Sequence, residues 1–103
     1  MSTDIHMWEI LVPTVRNDGR PFRLRFHRVW DRRVIATAGG LTVLRPAKGS
    51  WVSDTGDLYA ERMIPVRVAC TESEIVEIAE FTKRYYGQLK VLVCRVSDDV
   101  RFI

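Results

Sequence analysis

The chain is short of the residues that mark special protein classes. It has two cysteines in 103 residues, Cys70 and Cys94, which make neither a disulfide framework nor a metal motif and suit a reducing compartment. His6 and His27 are the only histidines, and neither has a carboxylate or cysteine at ligand spacing, so no metal site within one chain is expected. Six glycines and four prolines, with no low-complexity tract, exclude fibrous and disordered classes. No apolar run approaches the roughly 20 residues of a membrane span. The start Met1-Ser2-Thr3-Asp4 lacks the basic and apolar regions of a signal peptide. These absences predict a soluble, cytoplasmic protein that does not enter membranes. The G-x-S-x-G, H-E-x-x-H, Walker and dinucleotide fingerprints are missing as well. No catalytic residue, cofactor or metal is therefore assigned, and enzymatic activity stays open.

What is present suits one domain spanning 1–103: 47% hydrophobic and 28% charged residues allow a single core and no second one. The formal net charge is only +3, too small to imply nucleic acid without a local patch. The charge is unevenly spread. Residues 1–51 carry nine basic and four acidic side chains, residues 52–103 seven and nine, an asymmetry that favours self-association.

Met7 to Val12 is a β-prone run ended by Pro13 and the Asn17-Asp18-Gly19-Arg20-Pro21 turn cluster. From Phe22 to Ala38, the residues Phe22, Phe26, Val29 and Trp30 fall on one side of a helix that Gly39-Gly40 closes. Leu41 begins a second strand and Leu58 to Cys70 forms a third, joined through Ser53 to Asp57. A four-residue loop over 54–57 sets Pro46 opposite Pro65, where a hairpin missing two donors would bend. The outer half, Lys48 to Met63, then becomes an arm. Thr71-Glu72-Ser73-Glu74 is a capping box; Ile75, Ile78, Ala79, Thr82 and Tyr85 or Tyr86 form the buried stripe of the helix it starts, and Gly87 ends it. Lys90 to Val96 is a last strand, and Val100 to Ile103 an extended tail or edge strand.

The order βαββαβ predicts an α+β, ferredoxin-like fold: a four-stranded antiparallel sheet, strand order 4-1-3-2, with two helices on one face and a long hairpin between strands two and three. That order separates Cys70 from Cys94 by the width of a strand and excludes a disulfide. Alternation assigns Trp8, Ile10, Val12, Ile64, Val66, Val68, Cys70, Leu92, Cys94 and Val96 to the helix-covered face. The other face receives Met7, Glu9, Leu11, Arg67, Ala69, Val91, Val93 and Arg95. This is too apolar for water, which predicts a homo-oligomer, dimer or trimer, with Glu9 able to pair with Arg67 or Arg95.

Three groups of residues are candidates for function. The arm gathers Arg45, Lys48, Trp51, Glu61 and Arg62, charges of both signs around an aromatic, able to close on a small anionic or aromatic ligand or to grip a protein partner. Arg25, Arg28 and Arg32 make one basic stripe on the first helix, a possible anion site or a solvated face. Nucleic acid is the less favoured partner, because no base-stacking aromatic accompanies the stripe. His27, Tyr85 and Tyr86 would be the acid and base groups of a small enzyme, provided that a sizeable internal cavity contains one of them. Cys70 reads as a buried structural thiol.

Gly40-Leu41-Thr42-Val43, Gly49, Trp51, the strand Ile64 to Cys70, the capped helix and the segment Lys90 to Ile103 together resemble small bacterial ferredoxin-like domains. They are also similar in topology to the PII and CutA proteins. That resemblance implies a loop or hairpin between strands two and three, trimeric assembly and an inter-subunit cleft at the hairpin base. PII proteins carry a longer loop and a basic, glycine-bearing nucleotide cleft; the short hairpin here does not imply nucleotide binding. Dimeric α/β-barrel proteins, some of them small enzymes, share the same chain order. The reading of the whole is a non-catalytic oligomeric domain that binds a small ligand or a protein partner near the hairpin; the alternatives are a small dimeric α/β-barrel enzyme and nucleic-acid binding through the first helix.

Overall fold

Local chemistry decides where each element starts and stops. In the computed structural model, which describes residues 4–103, the chain runs β1 (His6–Pro13), α1 (Leu24–Ala38), β2 (Thr42–Val43), β3 (Ala47–Val52), β4 (Leu58–Cys70), α2 (Glu72–Tyr86) and β5 (Val93–Ser97). The Thr71 hydroxyl accepts from the Glu74 amide and the Glu74 carboxylate accepts from the Thr71 amide, so the capping box is complete. Gly87 ends α2 at φ 65°, a left-handed conformation that favours glycine. Helix α1 is different: Arg23 at its N-cap provides no side-chain bond and its first turn holds no acid. Packing must hold it instead, through Trp30 and Val34 on its buried side and through Phe22, which stacks on Phe26 at 5.0 Å just ahead of the first turn.

The sheet is antiparallel, with order β2-β4-β1-β5 and β3 paired to the outer part of β4. This is the predicted βαββαβ ferredoxin-like arrangement, its second strand broken into β2 and β3 at Leu44 to Pro46. Trp8, Ile10, Val12, Val66, Val68 and Cys70 from the sheet meet Trp30, Val34, Ile75, Ile78 and Tyr86 from the helices in the core. Two indoles sit there with their N–H groups satisfied. Trp8 donates to the Cys70 carbonyl at 3.0 Å, and Trp30 donates to the Thr82 hydroxyl at 2.9 Å, which itself donates to the Ile78 carbonyl at 2.6 Å.

Three expectations are corrected. Pro46 does not face Pro65: Val52 pairs with Leu58 and Ala47 with Met63, a register one residue away from the expected one. The reason is Gly56, whose φ of 84° lets Ser53 and Asp57 pair around a shorter tip. The chain bends all the same, because the ladder stops between Val43 and Ala47. The last strand has the opposite phase: Val93 pairs with buried Ile10 and Cys94 with Glu9, so Val91 and Val93 pack on the core while Leu92, Cys94 and Val96 are exposed. Val29 points outward. Of the two readings of residues 100–103, a tail or an edge strand, the structure has no strand there, and Phe102 and Ile103 are exposed.

The open face of the sheet remains apolar with these corrections. Pairing and alternation place Met7, Leu11, Pro65, Ala69, Leu92 and Cys94 on it, around an ion pair between Glu9 Oε1 and Arg67 Nε at 3.2 Å. Arg95 pairs instead with Asp98 at 2.9 Å. Both cysteines are free, Cys70 buried and Cys94 exposed, and burial pushes the Cys70 thiol up to about 12, with the Glu74 charge adding to it.

Candidate functional site

At one end of the sheet three segments converge: the β1–α1 connection, the C-terminal end of α2 and the base of the β3–β4 hairpin. The connection is a closed loop. Gly19 N–H donates to the Arg16 carbonyl at 2.9 Å, Phe22 N–H to the Thr14 carbonyl at 3.0 Å, and Val15 bridges Pro21. Asn17 ties the loop to α2 by donating from Nδ2 to the Gly87 carbonyl at 3.1 Å, and Thr14 ties it to the hairpin by donating to the Arg62 carbonyl at 2.9 Å.

Two clefts flank this loop. One, of about 280 Å³, lies on the helix side between Arg16, Asn17, Phe22 and Phe26 and the α2 residues Arg84, Tyr85, Tyr86 and Gly87. The other, of about 290 Å³, has Arg16 and Asn17 in common with it and adds Pro13, Val15, Glu61 and Gln88. Between the helices runs a ladder of rings, Phe22 on Phe26, Phe26 on Tyr85 at 4.1 Å, and Tyr85 on Phe81 at 5.2 Å. Guanidinium groups cover both ends, Arg16 at 4.9 Å from the Phe22 centroid and Arg33 at 4.5 Å from that of Phe81.

The arm residues are divided between two sides. Lys48 faces Arg62 across the hairpin, Gly49 faces Glu61, and Trp51 faces Tyr59. Trp51 and Glu61 thus lie on one side, Lys48 and Arg62 on the other, and Arg45 lies in the break between β2 and β3. Of these five, Glu61 reaches a cleft; Trp51 is 45% exposed. Arg25, Arg28 and Arg32 are all exposed on α1. Arg16, Asn17 and Arg84, which line the clefts, were not singled out by sequence. The Asn17-Asp18-Gly19 turn and the Gly87 stop were the available signs of two tight connections there.

The acid and base candidates are already engaged. The Tyr86 hydroxyl is pushed well up by burial, with Asp31 and Tyr85 adding to it, and lies 2.6 Å from His27 Nδ1. Burial lowers the His27 pKa against the opposing pull of Asp31. This contact engages the imidazole and the phenol with each other in either tautomer of the ring. The Tyr85 hydroxyl donates to the Phe26 carbonyl at 2.9 Å. Tyr85 and Tyr86 border the first cleft, which is an open surface feature, and His27 borders neither. His6 Nδ1 is buried and 3.4 Å from Asp98, without a hydrogen bond. Among the described residues no three His, Cys, Asp or Glu side chains are grouped to hold a metal ion, and no helix is long and apolar enough to cross a membrane.

No family model and no curated protein matches the chain. Solved structures do match its fold. The CutA protein of Oryza sativa superposes with a TM-score of 0.70 at 11% identity, over 97% of this chain and 85% of that one. The protein described as the periplasmic divalent cation tolerance protein CutA of Archaeoglobus fulgidus gives 0.68 at 14% identity, over 96% and 87%. A phage SAM lyase in complex with S-methyl-5'-thioadenosine gives 0.62 at 13%, over 90% and 81%. At such identities the likeness shows the fold alone: this chain has the CutA-like form of the ferredoxin-like fold over nearly its whole length.

Proposed function

We propose that the protein is a non-catalytic binding domain working as a homo-oligomer, with its ligand or partner site at the end of the sheet where the hairpin arm leaves it. The observation that carries this reading is an apolar surface that continues from the open sheet face onto one side of the arm. Alternation along β4 sets Met63, Glu61 and Tyr59 on the same side as Arg67 and Ala69. Trp51 and Tyr59, both about half exposed, therefore extend the surface formed by the partly exposed Met7 and Leu11 and the exposed Leu92. Contiguous apolar patches of this kind are rarely left to water. A second copy covers such a face by symmetry, and the Glu9–Arg67 pair inside it fixes the register. Assembly brings arms and loop ends of neighbouring copies together, so the two clefts and the residues Arg45, Lys48, Trp51, Glu61 and Arg62 form the binding region. The likeness to CutA proteins supports assembly; the phage lyase supports a small-molecule site on this fold.

Light scattering coupled to size exclusion tests the reading. The wild type at micromolar concentration is expected to run as a dimer or trimer, and Leu11→Asp as a folded monomer. A monomeric wild type would remove it. Trp51→Ala and Arg62→Ala are expected to weaken either assembly or ligand-induced thermal shifts; if both leave both unchanged, the arm is not part of the site.

A further inference from the structure

We infer that the helix-side cleft, bounded by Arg16, Phe26, Arg84 and Tyr85, binds a small aromatic anion: a planar ring carrying a carboxylate or a phosphate. The inference rests on the reading that ligand binding occurs at this end of the molecule, and it adds the chemistry recognised there.

Charge is the first support. Arg16 and Arg84 both line this cleft, no acidic residue does, and among the described residues neither arginine is in an ion pair. The acid closest in the loop sequence, Asp18, is turned to Arg20, whose amide donates to it at 3.0 Å and whose Nε lies 3.5 Å from it. The neighbouring cleft contains Glu61, so the two are electrically distinct although Arg16 borders both. The C-terminal end of α2 opposes an anion with roughly half a negative charge. Two full positive charges exceed that, and two of the last carbonyls are already bonded, Arg84 to the Gly87 amide at 3.4 Å and Lys83 to the Gln88 amide at 2.9 Å.

Geometry is the second. The Arg16 guanidinium lies over Phe22 and Phe26, 4.9 and 5.5 Å from their centroids. A guanidinium resting on rings by one face keeps its N–H edges for a carboxylate or phosphate, which it can grip with two parallel bonds. The faces of Phe26 and Tyr85 are stacked on one another at 4.1 Å, so the wall they supply beside it is one of ring edges, which suit the face of a ligand ring, and the Tyr85 bond to the Phe26 carbonyl fixes it. The Asn17 bond to Gly87 joins the two walls before any ligand arrives, so little ordering cost remains. At about 280 Å³, just under the usual range of ligand pockets, the cleft suits a single-ring molecule.

The test is a titration followed by amide NMR on the assembled protein, with phenyl phosphate, benzoate, inorganic phosphate and benzyl alcohol as probes. Phenyl phosphate, benzoate or both are expected to shift the Asn17, Tyr85 and Gly87 amides to saturation, and the stronger of the two names the head group. Inorganic phosphate and benzyl alcohol are expected to bind at least about tenfold more weakly. Arg16→Gln and Arg84→Gln are each expected to weaken the aromatic anion by about fivefold or more, in keeping with one charge-assisted bond, while the thermal midpoint stays put in Arg84→Gln and falls slightly in Arg16→Gln, which also loses the guanidinium contacts with Phe22 and Phe26. Equal binding of benzyl alcohol, equal binding of inorganic phosphate, or wild-type affinity in both variants would overturn the inference and leave the broader site standing. Silence of every probe would overturn the inference as well, whereas the broader reading falls separately, on a wild type that runs as a monomer in light scattering.

Discussion

Thr82 joins the two helices through the core, and its removal tests how that core is held. The residue is fully buried, and its hydroxyl accepts from the Trp30 indole and donates to the Ile78 carbonyl. Thr82→Val keeps the shape and deletes both bonds. The Ile78 carbonyl retains its helical partner, whereas the indole N–H has no water to turn to, at a cost of about 1–3 kcal/mol. The added methyl offsets less than about 0.8 kcal/mol of this. A net loss of about 1–2 kcal/mol is expected, or a fall in Tm of some 4–8 °C per kcal/mol for a domain of this size. Urea denaturation at one fixed protein concentration measures it, because an assembly's stability depends on concentration. In a Trp30→Phe background the donor is gone and the same substitution should cost about 1 kcal/mol less. A Thr82→Val protein as stable as the wild type, or no coupling between the two sites, would refute the assignment of this bond as the link between α1 and α2.

Gly87→Ala is expected to cost about 1 kcal/mol by denaturation, since the left-handed backbone penalises a Cβ even though the nearest atom to it, Asn17 Nδ2, is at an ordinary 4.0 Å. The His27 ring should titrate below 6.5 by NMR. The unfolded chain then takes up this proton first as pH falls, so stability is full above 6.5, declines below it toward the folded-state value, and loses that slope in His27→Gln. A thiol reagent should modify Cys94 and spare Cys70 in the folded monomeric Leu11→Asp variant, and modify both in denaturant; equal native rates would contradict the burial of Cys70.

The parts of the fold legible in sequence are those fixed by neighbours in the chain. The capping box at Thr71, the Gly87 stop and the apolar stripe of α2 need only local chemistry, and strand order followed from the sequence of elements. The phase of β5 was not legible: both Val91-Val93 and Leu92-Cys94-Val96 are apolar, and only pairing to Ile10 selects between them. The hairpin register depended on one residue in the turn, Gly56, so a loop shorter by one moved every partner. The candidate arm residues were chosen for their types, and the pleat distributes them over two sides. Arg16 and Asn17 lie far from Arg84 in sequence and meet it only because a bond of 3.1 Å joins the β1–α1 loop to the end of α2.

The three tryptophans report on different levels of organisation. Trp8 and Trp30 are sealed in the interior with bonded indoles, while Trp51 stands half exposed on the arm. Intrinsic fluorescence can thus be separated within one unlabelled chain. Quenching by a soluble agent reads any cover placed on the arm, and the emission of the shielded pair reads melting. A titration in which the quenchable fraction vanishes while the shielded emission stays constant would record subunits docking without any change of fold.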